Sequence, residues 1–391
     1  KIPETALLDY TIAPTAQIIG EIGEIMASQA NEYEWKTINL TETYTNPVVI
    51  FSPLSYEDND PAAIRVKNVT ATSFQYQIDE WDYLDEQHGQ ETFYYIVVEA
   101  GNYKLDGNVL LEAGTSNVAD QWSDITFKST FAATPLLFSQ TVTYNDDEAV
   151  TTRIKAIDTQ NFQLKVHSEE GNCGQGHALE TVAWLAFSQG EGNAGRAYEI
   201  DGTEREYDHI FYEIYFNNTY IDPIVFANMQ TSYGEDTCVL RYKDLFSDEI
   251  SVKVEEERSA DYEVVHTNEE VGFAVFEGTG AILGIPTQVT GTNSSSKEAE
   301  ESTPQIEIAK SEVHVYPNPV HQGEQLKIEL AKELGFEQLT IYSSTGRLLL
   351  KKYTVKDLEI IDTQRWPDGL YFITLRKSSG ENQQFKIINL R

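Results

Sequence analysis

The sequence predicts an all-β protein: three tandem antiparallel six-stranded β-sandwiches followed by a C-terminal Ig-like β-sandwich. Three observations predict this class. Short runs rich in β-branched and aromatic residues alternate apolar with polar positions between turn residues, as in 72–78 and 249–254. A set of sequence markers recurs three times at a nearly constant spacing. The charge balance changes near residue 290, which indicates a further module. Only 17–28 shows a helical period longer than two turns.

Three markers define the internal repeat. An apolar strand opens, 88 residues apart each time, at Pro47, Pro135 and Pro223. An Arg-x-Lys follows, with its arginine at Arg65, Arg153 and Arg241. A His three residues before a Glu comes next, 89 residues apart each time, as His88 with Glu91, His177 with Glu180 and His266 with Glu269. Three markers in register three times predict three copies of one small sandwich, each with about six strands.

The net charge of the 391 residues is −35, from 28 Lys plus Arg against 63 Asp plus Glu. The acidic residues are unevenly distributed. Residues 306–391 contain 12 basic and 11 acidic residues, whereas residues 1–305 contain 16 basic and 52 acidic residues. The repeat region therefore has a net charge of −36. A surface this acidic repels phosphate backbones and anionic bilayers, so we expect no nucleic-acid binding. No apolar run is long enough for a membrane span, so we expect no membrane insertion.

The domain boundaries follow from these signals. The stretch 287–305 is rich in Ser, Thr and Glu and nearly free of large apolar residues, which predicts a flexible linker where the charge changes. The predicted organisation is an N-terminal segment with repeat 1 (1–101), repeat 2 (102–192), repeat 3 (193–286), the linker (287–305) and a C-terminal module (306–391). The two cysteines, Cys173 and Cys238, form no disulfide framework, and their spacing leaves a single pair open.

The repeats resemble the H-type lectin domain. The Pro-apolar opening strand, the following Arg strand and the closing apolar strand carry the resemblance, which covers roughly residues 30–280 and is best in repeat 2, at residues 182–186. The resemblance implies a six-stranded sandwich that binds galactose-type glycans near subunit contacts, and three tandem copies that could build a pseudo-trimer. The candidate carbohydrate-binding residues are Arg65, Trp81, Asp82, Tyr83, His88, Glu91, Arg153, His177, Glu180, Arg241, His266 and Glu269.

Three interpretations of the repeated Arg, His and Glu stay open at this stage. They could form a buried ion network within each sandwich, which would fix strand registry and bind nothing. They could contact a sugar, because a pyranose needs planar hydrogen-bonding groups and an aromatic face. They could hold a metal, with three histidines around a pseudo-threefold axis suiting zinc and the acidic turns suiting Ca²⁺. We expect no resident cofactor, although Ca²⁺ and Zn²⁺ remain alternatives.

Catalysis is not expected. The sequence has no Gly-x-Ser-x-Gly, P-loop or His-Glu-x-x-His motif. A catalytic constellation usually occurs once in a chain, whereas the candidate residues here occur three times at a fixed period. We therefore expect a non-enzymatic protein, with no catalytic residues.

The C-terminal module resembles the type A C-terminal sorting domain of the type IX secretion system of Bacteroidetes. The residues that carry this resemblance are Tyr316, Pro317, Asn318, Pro319, Gly346, Arg347, Gly369, Tyr371, Phe385, Lys386 and Arg391. The resemblance implies recognition by the outer-membrane translocon and its shuttle protein, followed by removal of the domain. We expect the last strand, with Phe385, Lys386 and Arg391, to engage the shuttle.

The combined expectation is an exported protein that passes the periplasm and outer membrane to the cell surface or medium. Its repeats are expected to act as a carbohydrate-binding adhesin, with galactose-type or other glycans as partners. The alternative is a structural or protein-binding surface component that binds no sugar. A polysaccharide-degrading enzyme is a third hypothesis, which would require turnover by the purified chain.

Overall fold

The computed structural model describes residues 16–172, 176–287 and, between 313 and 390, the strands given below with a few flanking residues. The chain divides into two compact units, Lys1–Asn293 and Ser294–Arg391. Within the described part no α-helix occurs, and the only helical elements are two short 3₁₀ turns, Asp106–Asn108 and Glu170–Asn172. The all-β prediction is confirmed.

The described residues of the first unit form 22 strands, which fall into three sets in chain order. Repeat 1 contains β1 (Gln17–Gln29), β2 (Lys36–Asn39), β3 (Pro47–Phe51), β4 (Leu54–Ser55), β5 (Ala62–Lys67), β6 (Ser73–Glu80), β7 (His88–Glu99) and β8 (Gly101–Lys104). Repeat 2 contains β9 (Leu110–Val118), β10 (Ser123–Thr126), β11 (Leu136–Thr141), β12 (Val150–Lys155), β13 (Asn161–Ser168), β14 (Glu180–Phe187) and β15 (Gly190–Asn193). Repeat 3 contains β16 (Ala197–Gly202), β17 (Tyr212–Tyr215), β18 (Pro223–Met229), β19 (Cys238–Lys243), β20 (Glu249–Glu256), β21 (Val271–Glu277) and β22 (Gly280–Pro286).

Each repeat has the same six principal strands, arranged as two antiparallel groups of three. Some groups belong to larger sheets: β8 and β22 join the groups β9-β14-β11 and β1-β7-β3 into one eight-stranded sheet. The orders are β1-β7-β3 and β2-β6-β5 in repeat 1, β9-β14-β11 and β10-β13-β12 in repeat 2, and β16-β21-β18 and β17-β20-β19 in repeat 3. Side chains from both sheets of repeat 2 share one hydrophobic core, in which the rings of Phe162 and Trp184 lie 5.4 Å apart. Alternate residues of β13 are buried, which is why its apolar and polar residues alternate in sequence.

A short strand after each repeat pairs with the first strand of the next. β8 pairs with β9 and β15 pairs with β16 as hairpins, and β22 at the end of repeat 3 pairs with β1 at the start of repeat 1. Backbone hydrogen bonds therefore connect repeat 1 to 2, 2 to 3 and 3 back to 1. The three repeats form a closed ring, with the N-terminal strand held by the last strand of the unit.

The segment 17–28, whose period suggested a helix, is the long strand β1. It pairs with β22 from Gln17 to Ile22 and with β7 from Gly20 to Gln29, so backbone hydrogen bonds to neighbouring strands hold it in a sheet. The close approach of β7 also requires glycine, because a Cβ on Gly20 would lie 2.3 Å from the carbonyl oxygen of Val97. Pairing with β7 and β22 therefore outweighs the helical spacing of apolar residues in this segment.

The second unit is a separate β-structure. Its strands are β23 (Val313–Tyr316), β24 (Val320–His321), β25 (Gln325–Leu330), β26 (Phe336–Ser343), β27 (Leu348–Lys352), β28 (Leu358–Asp362), β29 (Gly369–Lys377) and β30 (Asn382–Leu390). They form a three-stranded sheet, β23-β25-β28, and a five-stranded sheet, β24-β30-β29-β26-β27. Leu326, Ile341 and Ile373 are fully buried in its core.

Candidate functional site

Three arginines that repeat in register are among the largest fully buried side chains of the molecule. Arg65, Arg153 and Arg241 lie on the equivalent strands β5, β12 and β19, and each has at most 1% of its surface exposed. Each guanidinium contacts the following repeat. We call these contacts the 1–2 junction, the 2–3 junction and the 3–1 junction.

Arg241 forms the most complete junction, between repeats 3 and 1. Its Nη2 lies 2.6 Å from Oε1 of Glu91, and its Nη1 lies 2.8 Å from Oε2 of Glu255 in its own repeat. The guanidinium also donates to the backbone carbonyl oxygens of Ser55, Asp58 and Asp60. A buried charge is tolerated only when it is paired and hydrogen-bonded in this way.

The other two junctions follow the same plan. In the 2–3 junction, Nη2 of Arg153 lies 2.9 Å from Glu269, and its Nη1 lies 2.7 Å from the Cys238 sulfur. In the 1–2 junction, Arg65 lies 3.5 Å from Glu180 and 3.6 Å from Asp79. Each glutamate also accepts hydrogen bonds from the acidic turn of its own repeat. The repeated Arg and Glu therefore hold neighbouring repeats together.

The histidines of repeats 1 and 3 belong to the same networks. His88 lies between Glu80, at 2.9 Å, and Glu91, at 3.2 Å. Burial alone would lower its pKa, but these two hydrogen bonds raise the pKa of His88 to about 9. His266 lies between Glu256, at 2.5 Å, and Glu269, at 3.2 Å.

Burial also works against protonation of His266, yet hydrogen bonds to Cys238, Glu256 and Glu269 raise its pKa to about 11. Burial would raise the pKa of Glu91 and Glu269, but each is held below its ordinary value, first by its histidine and then by its arginine. Both histidines are therefore imidazolium ions at neutral pH, and each acts as a structural cation.

These contacts correct the predicted network in one respect. It is buried and ionic, but it joins neighbouring repeats instead of lying within one sandwich. The physical reason is that each Arg extends beyond its own core to carboxylates more than 100 positions away in the chain. Both ring nitrogens of His88 and of His266 are hydrogen-bonded to glutamates, so neither ring offers a free nitrogen to a zinc site around the axis.

The structure also differs from the expectation for Trp81, which was predicted to contact a sugar. Trp81 is fully buried, so its indole presents no face to a ligand from solvent. Tyr83, two residues further, is 38% exposed. The loop that carries Trp81, Asp82 and Tyr83 contacts the two equivalent loops of the other repeats.

Those three loops hydrogen-bond in a circle. The amide of Asp82 donates to Glu169 at 3.1 Å, the amide of Glu170 donates to Glu257 at 2.5 Å, and the amide of Arg258 donates to the Tyr83 hydroxyl at 3.1 Å. Burial, followed by neighbouring carboxylates, raises the pKa of Glu169 and of Glu170 to about 7. The loops therefore form a second ring of contacts that is rich in carboxylates.

Two adjoining clefts lie beside this loop ring. One, of about 390 Å³, is at the 3–1 junction and is lined mainly by polar groups, among them Tyr56, Asn59, His209, Lys253 and Arg258. The other, of about 450 Å³, is lined by Tyr83, Arg258, Ser259, Ala260, Asp261 and Tyr262. Arg258 lines both clefts.

One group of carboxylates has metal-ligand spacing in the described part of the chain. Ligand oxygens of Asp236, Glu256 and Glu263 lie within 4.8 Å of one another. Asp236 comes from the acidic turn of repeat 3, and Glu256 is already bonded to His266. Acidic groups of this kind are common without an ion, and the predicted lack of a cofactor stays a prediction.

Sequence reasoning missed one set of repeated residues. Glu21, Glu112 and Glu199 are buried on β1, β9 and β16, and each accepts backbone N–H groups from the turn after the second strand of its repeat. Their spacings are 91 and 87 residues, which differ from the 88 or 89 of the other markers. Only the strand alignment reveals their equivalence.

The remaining predicted residues are placed as follows. Cys238 is a buried free thiol, and Cys173 lies outside the described residues. Of the sorting-signal residues, Tyr316, Gly369, Tyr371, Phe385 and Lys386 lie on strands of the second unit, and Tyr371 is buried. Those outside the described residues are Pro317, Asn318, Pro319, Gly346, Arg347 and Arg391.

Comparison with known proteins identifies the C-terminal region. Residues 314–389 match the secretion system C-terminal sorting domain. A segment of Halomucin from Haloquadratum walsbyi is 31% identical over 307 residues, which is 75% of this chain. The matched segment spans 3% of Halomucin, so the comparison concerns a small part of that protein. No solved structure matches the chain.

The sorting domain makes the chain a cargo of the type IX secretion system, exported to the cell surface or extracellular space. It also implies interaction with the secretion machinery. Among the described residues, no helix is long and apolar enough to cross a membrane.

Proposed function

We propose that the ring of three repeats is a non-enzymatic carbohydrate-binding module, so that the exported protein acts as an adhesin. The observation that carries this proposal is the pair of clefts at the 3–1 junction that share the lining residue Arg258. Their volumes, about 390 and 450 Å³, are in the range of small-molecule sites. The lectin-like repeat pattern agrees with a site at a contact between repeats.

The lining of the clefts suits a glycan. Tyr83 and Tyr262 supply aromatic faces for the apolar side of a pyranose, and Asn59, His209 and Arg258 supply hydrogen-bonding groups for its hydroxyls. Tyr262 is 94% exposed, so its ring is available to a ligand. Because the two clefts share Arg258, an oligosaccharide of more than one residue could extend through both.

The candidate residues of the buried networks are less suited to contact a sugar directly. Arg65, Trp81, Glu91 and Arg241 have no exposed surface, so a ligand in solvent does not reach them. We therefore assign them the role of holding the clefts in shape. Of the candidate carbohydrate-binding residues, Tyr83 lines one of the two clefts.

The test is a glycan array with the full chain, followed by calorimetry with the best ligand. Tyr262→Ala and Arg258→Ala should each weaken binding about tenfold or more. The matched control is Tyr33→Ala, which removes an 81% exposed tyrosine that lines neither cleft. Absence of glycan binding, or equal loss in Tyr33→Ala, would remove the proposal. Turnover of any polysaccharide would contradict the non-enzymatic part.

One observation favours the alternative of a protein-binding surface component. Of the 14 large hydrophobic side chains that are exposed in residues 16–287, nine belong to repeat 3, among them Ile210, Tyr215, Ile221 and Phe246. Crosslinking of the secreted protein on cells would distinguish the two functions. A single specific protein partner with no glycan response would favour this alternative.

A further inference from the structure

Repeat 2 departs from the other two repeats at a pair of positions at the end of its fifth strand. The position of Asp79 in repeat 1 and Glu255 in repeat 3 is His167 in repeat 2, and the position of Glu80 and Glu256 is Ser168. Strand register establishes the equivalence, because Glu80, Ser168 and Glu256 each pair with the first residue of the preceding strand. Repeat 2 therefore lacks two carboxylates that its neighbours carry.

The missing carboxylates have defined tasks in the other repeats. Glu80 and Glu256 bind the Nδ1 atoms of His88 and His266. In repeat 2 the ring of His177 turns instead to the carbonyl oxygen of Ala178, at 2.9 Å from Nδ1. Its Nε2 is buried without a hydrogen-bond partner in the described part of the structure.

A second imidazole of repeat 2 also has a buried nitrogen atom without a hydrogen-bond partner. Nδ1 of His167 is also buried and unpartnered within the described residues, and His167 and His177 are 6% and 7% exposed. A buried polar atom without a partner costs free energy and often marks a place where a ligand binds. Both imidazoles line one cavity of about 180 Å³.

The charges around the cavity favour an anion. Burial, then Lys165 and then Arg153, lowers the pKa of His167 to about 2, so this ring stays neutral in a positive field. Lys165 and Asn172 also line the cavity, and Asp120 is the only carboxylate among the described lining residues. Glu148 approaches Ser168 and His177 from the acidic turn. Lys165 would repel a cation. An anion would supply the negative charge that repeat 2 lacks at positions 167 and 168, where repeats 1 and 3 have carboxylates.

We infer that the His167–His177 cavity of repeat 2 binds the carboxylate of a small organic acid. The ligand carboxylate would take the place that the Glu80 side chain occupies in repeat 1, accepting hydrogen bonds from Nε2 of His177, Lys165 and Asn172. The acid could be free in solution or the uronate of a polysaccharide. This inference is independent of the glycan clefts, so either can fail alone.

The experiment titrates the full chain separately with acetate, glucuronate and glucose, and follows imidazole ¹H–¹⁵N resonances by NMR. Acetate and glucuronate should bind saturably and shift the resonances of His167 and His177, but not those of His88 and His266. Glucose should give no saturable shift at these rings. Tighter binding of glucuronate than of acetate would indicate a polysaccharide source, and equal binding a free acid.

Two variants make the test specific. Ser168→Glu restores the carboxylate present at this position in repeats 1 and 3, and should weaken acetate binding about tenfold or more. His177→Leu should do the same by removing the donor, and it keeps the test informative if Ser168→Glu does not fold. Absence of saturable carboxylate binding, equal binding of glucose, or unchanged affinity in a folded variant would overturn the inference.

Discussion

Arg241 of repeat 3 and Glu91 of repeat 1 form a fully buried ion pair, 2.6 Å long, between residues 150 positions apart. The two equivalent pairs join repeat 1 to 2 and repeat 2 to 3, so this third pair closes the circle. Because the ring is closed, every repeat has a neighbouring repeat on both sides. Each repeat donates an arginine to one neighbour and a glutamate to the other.

Replacing Arg241 by methionine should destabilise the ring strongly. The substitution leaves Glu91 and Glu255 buried beside unpaired carbonyl groups, and breaking a buried pair on one side typically costs about 3–5 kcal/mol. Calorimetry of the full chain should show the transition of the first unit shifted to lower temperature. The transition of the sorting unit should be unchanged.

A matched substitution separates this effect from the loss of any arginine. Arg205 is exposed and donates to the carbonyl oxygen of Asn268. We expect Arg205→Met to change stability by less than about 1 kcal/mol. Equal effects of the two substitutions would contradict the ring-closing role of Arg241.

The histidine at the 3–1 junction should make stability depend on pH. The pKa of His88 is raised to about 9 in the folded protein, against about 6.5 in an unfolded chain. A raised pKa contributes stability fully below about pH 6.5, and this contribution is lost as the pH rises through about 9. The expected loss is on the order of 3 kcal/mol, measured as a fall in the denaturant midpoint.

His88→Gln is the control for this prediction. It removes the titrating group, so the fall in midpoint between about pH 6.5 and about pH 9 should become smaller than in the wild type. An identical pH profile for both proteins would show that another group causes the dependence.

Strand β22 should be required to hold the N-terminal strand. β1 pairs with β22 from Gln17 to Ile22. A chain that ends at Asn293 should protect the amides between Gln17 and Ile22 that bond to β22 from hydrogen exchange, whereas one that ends at Gly278 should expose those amides and melt earlier. Both chains lack the sorting unit, so their difference reports the strand alone. Equal protection would contradict the ring closure.

The sorting domain should be required for export. Deletion of residues 306–391 should leave the ring inside the outer membrane of a host that has a type IX system, because the signal at 314–389 is lost. Immunoblots of cell fractions and medium would measure this. A chain with Arg241→Met and an intact sorting domain tests separately whether export needs a closed ring. Surface delivery of the deleted chain would contradict the prediction.

Much of the fold could be predicted because its signals are local. Alternating residues identify strands such as β13, and the constant spacing of Arg65, Arg153 and Arg241 identifies three copies. Trp81 could not be placed in this way. An aromatic residue next to an acid in a loop is compatible with a sugar platform, and only packing against neighbouring loops shows that it is buried.

The sequence by itself determined the strand content, the number of repeats, the change of charge and the sorting domain, because each is carried by residues close together in the chain. Only the tertiary structure decided which partners the repeated Arg, His and Glu have. Those partners lie 115, 116 and 150 positions from their arginines, and a period along the chain is equally compatible with contacts within a repeat and between repeats. Closure of the ring selects the second, since it buries each charge beside an opposite one.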